Sequence, residues 1–217
     1  MNQLSLIQLI SISILPLLFA VTVHEVAHGW VANRLGDPTA RLMGRLTLNP
    51  LPHIDWIGTI AVPILLLATT GFMFGWAKPV PINWRNLHQP RRDIALVAAA
   101  GPTANFLMAC IWGLFGRIGY GLSASIPDVG IPLAYMGQIG IMINVALLVL
   151  NLIPIPPLDG SRVMASLLPP RWAYHYVQIE PYGFWILIGL MISGLLNTLL
   201  FYPIVTLNNF IMQIFIH

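Results

Sequence analysis

Charge is scarce in this chain. Only 8% of its 217 residues are Asp, Glu, Lys or Arg, against about 25% in a soluble domain. That excludes an ordinary water-exposed fold. The ten basic residues are scattered and the net charge is only +3, which excludes a nucleic-acid-binding surface and leaves no nucleic-acid partner. Cysteine is limited to Cys110, in an apolar run. It cannot pair within the chain, so no disulfide framework exists and the redox compartment is left open. What is abundant is apolar surface: 57% of residues are hydrophobic, and several runs reach the length that crosses a bilayer. The reading is an all-α polytopic membrane protein of about five to six transmembrane or re-entrant helical segments, with short β elements.

The length leaves room for a single integral membrane domain, 1–217, and no sizeable soluble one. The first apolar run reads as a helix over 4–33. It is taken as retained rather than as a cleaved signal, because it lacks a basic leading region and runs on into the most chemically loaded residues. Gly36-Asp37-Pro38 stops it. Strand or loop is expected over 39–55, with loose alternation in Thr39 to Asn49. A re-entrant segment or short hairpin follows at 56–75, broken by Pro63 and Gly71. The loop 76–90 is proline-rich, and its Val80-Pro81-Ile82 core suits an edge strand. Helices are expected over 91–116 and 131–153, a loop over 154–160, a short interfacial helix near Gly160 to Leu168, and a span over 182–201. The last helix, 204–216, has 13 residues, about 20 Å, too short to cross unaided.

The chemistry begins at His24-Glu25-Val26-Ala27-His28, which fits H-E-x-x-H on a predicted helix. Histidines four apart share a helical face and can grip one metal ion. Glu25 emerges beside them, free to act as a base toward the attacking water. The alternative is a pair of histidines packing between helices. Against it, glutamate occurs only at Glu25 and Glu180, and roughly 0.002 such motifs are expected from this composition by chance. Ionisable groups in a membrane segment are also expensive and tend to mark function.

Two histidines leave a catalytic zinc one protein ligand short. Among the seven acidic residues, Asp159 stands out. It follows a spanning segment directly, in Asn151-Leu-Ile-Pro-Ile-Pro-Pro-Leu-Asp159-Gly160, where prolines unwind the chain at a depth tolerated only if the backbone lines a protein cavity. An ordinary helix-capping aspartate is the competing reading.

HEVAH, AGPTANF at 100–106 and NLIPIPPLDG at 151–160 together resemble the three signatures of the site-2 protease family of intramembrane zinc metalloproteases. The match covers nearly the whole chain in order. RLTLNPLPHID and GWAKPVPIN look like its short prokaryotic form, without a recognisable PDZ or nucleotide-sensing domain. The resemblance implies His24, His28 and Asp159 as zinc ligands and Glu25 as general base. It implies Asn151 as the group that positions the substrate carbonyl or steadies the oxyanion, against a simpler role tying the broken helix. Gly101, Pro102 and Asn105 read as packing and helix-start residues. His53 and His88 read as loop histidines, with His53 close enough in sequence context to approach the site.

For Asp159 to meet the histidines, the first helix must end, and the span before Asp159 must exit, on one face. That places Arg34, Arg41, Arg45, Lys78, Arg85, Arg91, Arg92, Arg162 and Arg171 together, with only Arg117 opposite. By the positive-inside rule the face is cytosolic. The expectation is a multi-pass protein of the cell membrane whose active site opens toward the cytoplasm. Its partners are the lipid bilayer and a transmembrane protein substrate, cleaved in regulated intramembrane proteolysis. A divalent-metal transporter is the alternative, but it predicts inverted repeats and ionisable groups along a path, and neither is visible. An inactive zinc scaffold would not need Glu25. Oligomeric state is not legible.

Overall fold

The computed structural model describes residues 5–62 and 77–216. Among them lie eight α-helices: α1 (Leu6–Arg34), α2 (Thr39–Leu42), α3 (Pro90–Leu122), α4 (Pro127–Asn151), α5 (Asp159–Leu167), α6 (Pro170–Val177), α7 (Glu180–Ile192) and α8 (Leu195–Phe215). Helix α1 opens on a capping box. Ser5 Oγ accepts from Gln8 N at 3.3 Å, and Gln8 Oε1 accepts from Ser5 N at 2.9 Å, satisfying two otherwise orphaned amides.

Four of these helices are long and apolar enough to cross a membrane: α1, α3, α4 and α8. The expected five to six segments counted re-entrant ones as well as spans, and most of the one expected at 56–75 lies outside the described residues. Helix α7, with 13 residues, is about 20 Å long and falls short. The last two elements are also divided differently from the expected 182–201 and 204–216. The break comes at Gly194, whose φ of 74° is left-handed and open to glycine without strain. Pro203 sits inside α8 instead of ending a helix before it, so the crossing helix is the last one. The gap between the helices expected over 91–116 and 131–153 shrinks to the few residues after Leu122, because α3 and α4 both extend into it.

No strand occurs among the described residues, which corrects both expected β elements. Thr39–Leu42 is a helical turn whose start is set by Asp37 Oδ1, accepting from Thr39 N at 3.2 Å. In the 79–83 stretch, Val80 N–H is occupied by the Glu25 carboxylate and Pro81 has no N–H. Two consecutive ladder donors are therefore unavailable. Of the expected re-entrant segment 56–75, the π-helical turn Trp56–Ala61 is described. It is capped by Asp55, which accepts from Ile57 N at 3.0 Å and Gly58 N at 2.7 Å. Residues 63–75 lie outside the described residues.

Helices α3 and α4 form the closest pair. A Cβ added at Gly137 would stand 2.3 Å from Gly116 Cα, so the two backbones touch where only glycine fits, the usual means of tight association in lipid. Below that contact Ala109, Trp112, Ile141, Val145 and Ile211 form a buried cluster joining α3, α4 and α8. Helix α1 packs against both members of the pair, bringing its histidines against α3.

At the end of α1, Asp37 is fully buried. It accepts from Asn83 N at 2.7 Å and Asn86 Nδ2 at 2.9 Å, besides Thr39. Burial pushes its carboxyl up, but these hydrogen bonds prevail and hold it below the usual range. The loop that follows residue 77 is thereby fastened to α1.

Candidate metal centre

Three ligand atoms converge. His24 Nε2 lies 3.1 Å from His28 Nε2, and each lies 3.2 Å from Asp159 Oδ2. No other group of three or more His, Cys, Asp or Glu side chains among the described residues is so arranged. Helical spacing explains the histidines. Asp159 arrives from another direction, as the first residue of α5, where a carboxylate is favoured by the helix dipole.

Helix α5 is held at both ends. Before it, a Cβ at Gly160 would stand 2.4 Å from Leu152 O, so the loop folds tightly back on the end of α4. Beyond it, Arg91 of α3 donates to Ser166 O at 2.7 Å, Leu167 O at 3.4 Å and Leu168 O at 2.6 Å, satisfying carbonyls that a helix end leaves free.

The imidazoles are oriented from behind. His28 Nδ1 donates to Val97 O at 2.7 Å; a carbonyl can only accept, so the proton is on Nδ1 and Nε2 keeps its lone pair. His24 Nδ1 lies 2.6 Å from Asn105 Oδ1. The same logic fixes that amide, because Asn105 Nδ2 donates to Ala20 O at 3.1 Å and Asn144 Oδ1 at 3.0 Å. Asn144 Nδ2 in turn donates to Gly140 O at 2.8 Å. Both asparagines are fully buried. Every donor in the chain points one way, and the network ties α1, α3 and α4 together at the point where it directs a ligand. Histidine ligands held in this manner have fixed tautomers and greater basicity.

The three-atom triangle fits a zinc ion. A tetrahedral site with bonds of about 2.0–2.1 Å has edges of about 3.3–3.4 Å, close to the 3.1–3.2 Å observed. Asp159 Oδ2 is buried without a hydrogen-bond donor, and two imidazole lone pairs face it. Three acceptors gathered without a donor call for a cation. The space is closed on the α3 side by Gly101, where a Cβ would stand 2.4 Å from His28 Nε2.

Over 185 residues, 84% of this chain and 80% of the relative, the sequence is 39% identical to YwhC of Bacillus subtilis, a protein named as a candidate zinc metalloprotease. The chain belongs to the site-2 protease family of zinc metalloproteases. Rip2 of Mycolicibacterium smegmatis carries the same designation and is 32% identical over 181 residues, 83% of this chain and 66% of that protein. Rip2 of Mycobacterium tuberculosis is 27% identical over 180 residues, again 83% and 66%. No family model and no solved structure matches the chain. Zinc is the metal of this site-2 protease.

The other expected site residues separate. Glu25 is half-buried and accepts from Val80 N at 2.8 Å. Asn151, the last residue of α4, donates its amide to Leu147 O at 3.0 Å, one turn back along its own helix. His53 is buried away from the ligand group, its Nε2 3.0 Å from Thr47 O. His88 is exposed and packs on Gly36. Asn105, expected as a packing and helix-start residue, hydrogen-bonds His24, and Asn144 behind it is not singled out by the sequence. The signal was present: a buried asparagine in an apolar span is expensive, and Asn105 stands one turn from Gly101.

Proposed function

We propose that this site-2 protease hydrolyses peptide bonds within or near transmembrane segments of other membrane proteins, with the active site opening toward the cytoplasm. The observation that carries the reading is the His24, His28 and Asp159 triangle, set among helices of spanning length, with a glutamate next to the first ligand. Zinc bound there supplies Lewis acidity, activating water and polarising the scissile carbonyl. The residues do the rest. His24, His28 and Asp159 are the protein ligands, leaving a position open for the reacting groups. Glu25 accepts a proton from the attacking water and returns it to the leaving amine. Asn151 keeps one amide hydrogen beyond that given to Leu147 O, and can direct it to the substrate carbonyl as negative charge develops. An apolar groove of about 400 Å³ is lined in part by Leu15, Phe19, Val23, Met108 and Trp112 and suits lipophilic substrate side chains.

The test is hydrolysis in liposomes. A tagged single-span protein should be cut by the zinc-loaded enzyme, spared after chelation, and cut again when zinc is restored. The same peptide sequence placed in a soluble carrier should be cut far less. Equal cleavage of both would remove the membrane-substrate part of the reading. Zinc uptake into the liposomes without hydrolysis would favour a transporter.

A further inference from the structure

Glu25 is not held by its own helix. Its carboxylate is gripped by a backbone amide 55 residues away, Val80 N–H at 2.8 Å, and the position of that amide depends on a buried cation. Arg45 is only 9% exposed. Its guanidinium donates from Nη2 to Lys78 O at 2.9 Å and to Pro79 O at 3.3 Å, the two carbonyls immediately before Val80. Lys78 N donates back to His53 O at 2.9 Å, so the loop after α2 and the segment 78–80 are joined in both directions.

A second feature fixes where this pair of segments sits. Gly29 is four residues after Glu25, on the same helical face. A Cβ there would stand 2.7 Å from Leu46 Cδ2 and 2.8 Å from Val80 Cγ1. The side chain following Arg45 and the side chain of Val80 both rest on the bare backbone of α1, one turn from the proposed base. Arginine is rarely buried without a charged partner. Among the described residues its partners are neutral carbonyls, and its Nε has none. Retention of a buried charge for two carbonyl contacts makes sense if the segment must be placed accurately.

We propose that Arg45 is a positioning residue for Glu25: it fixes the Lys78 and Pro79 carbonyls so that Val80 N–H holds the Glu25 carboxylate in its working orientation. This rests on the reading of Glu25 as the base. Arg45 touches neither metal ligand nor substrate. Its effect is transmitted through one amide.

The test uses full-length protein in liposomes, with a tagged single-span substrate, and compares Arg45→Ala, Arg45→Lys, Val80→Pro and the Arg45→Ala/Val80→Pro double variant. Zinc content and Val80 amide hydrogen exchange in metal-free protein are measured alongside. Proline at 80 removes the N–H itself. Arg45→Ala should lower kcat by on the order of 10-fold to 100-fold with KM and zinc content unchanged, the pattern of an interaction that matters in the transition state. Val80 amide exchange should accelerate, and Arg45→Lys should recover part of kcat. The double variant should be no slower than Val80→Pro, since both act through the same bond. Wild-type kcat in Arg45→Ala would overturn the proposal, as would fully multiplicative losses in the double variant. Zinc loss in both Arg45 variants would assign the residue to the metal fold and equally overturn it. Glu25→Gln distinguishes the two levels: if it cleaves normally the base assignment fails, whereas if it is inactive and Arg45→Ala is not slowed, only the positioning role fails.

Discussion

Glu25→Gln should bind about one zinc per chain yet hydrolyse its substrate slower by on the order of 10²–10⁴-fold, the usual contribution of a general base. The amide is nearly isosteric with the carboxylate and can still accept from Val80 N–H, whose bond to Glu25 is 2.8 Å. The ligand triangle does not include residue 25, so its shape has no reason to change. What is lost is the ability to take a proton. Metal content measured with single-turnover cleavage separates the effects: loss of both would make Glu25 a structural residue, and loss of neither would remove it from the mechanism.

Gly101→Ala should have an effect of comparable size by a different route. In most helices this change is favourable by about 1 kcal/mol. Here the added methyl would stand 2.4 Å from His28 Nε2, 2.5 Å from His24 Cε1 and 2.7 Å from His24 Nε2, against a comfortable separation of about 3.5–4.0 Å. The rings cannot retreat freely, because Nδ1 of each is tied behind, to Asn105 and to Val97 O. Disturbing the outer partner of one ligand commonly reduces metal affinity 10-fold to 100-fold, and this methyl disturbs both imidazoles. Zinc affinity is expected to fall by at least on the order of 100-fold, and hydrolysis at limiting zinc with it, while helical circular dichroism is maintained. Wild-type zinc affinity in Gly101→Ala would show that the histidines adopt a different arrangement when loaded.

The chemistry at this site was more legible than its scaffolding. H-E-x-x-H is a local signal, since helical periodicity alone places His24 beside His28. Asp159 could be singled out because acids are so few and because prolines precede it. Asn105 was harder to value: its role depends on α3 meeting α1, a tertiary fact that no short spacing encodes. The two β elements failed for different reasons. Loose alternation in 39–49 and the Val80-Pro81-Ile82 core are compatible with strands, but Asp37 starts a helical turn at Thr39 and Glu25 takes the Val80 amide. The first is a cap two residues away, and the second a side chain 55 residues away. At the C-terminal end the expected bounds 182–201 and 204–216 put the break at the wrong residues. Pro203 lies within α8, and Gly194 makes the break.

The central claim is that His24, His28 and Asp159 share one zinc ion. X-ray absorption at the zinc edge of the loaded protein, wild type against Asp159→Ala, tests it most directly. The account predicts only nitrogen and oxygen neighbours at about 2.0–2.2 Å, two of them with the outer scattering of imidazole, and a loss of one oxygen neighbour in the variant. A sulfur neighbour, or an unchanged first shell in Asp159→Ala, would contradict it.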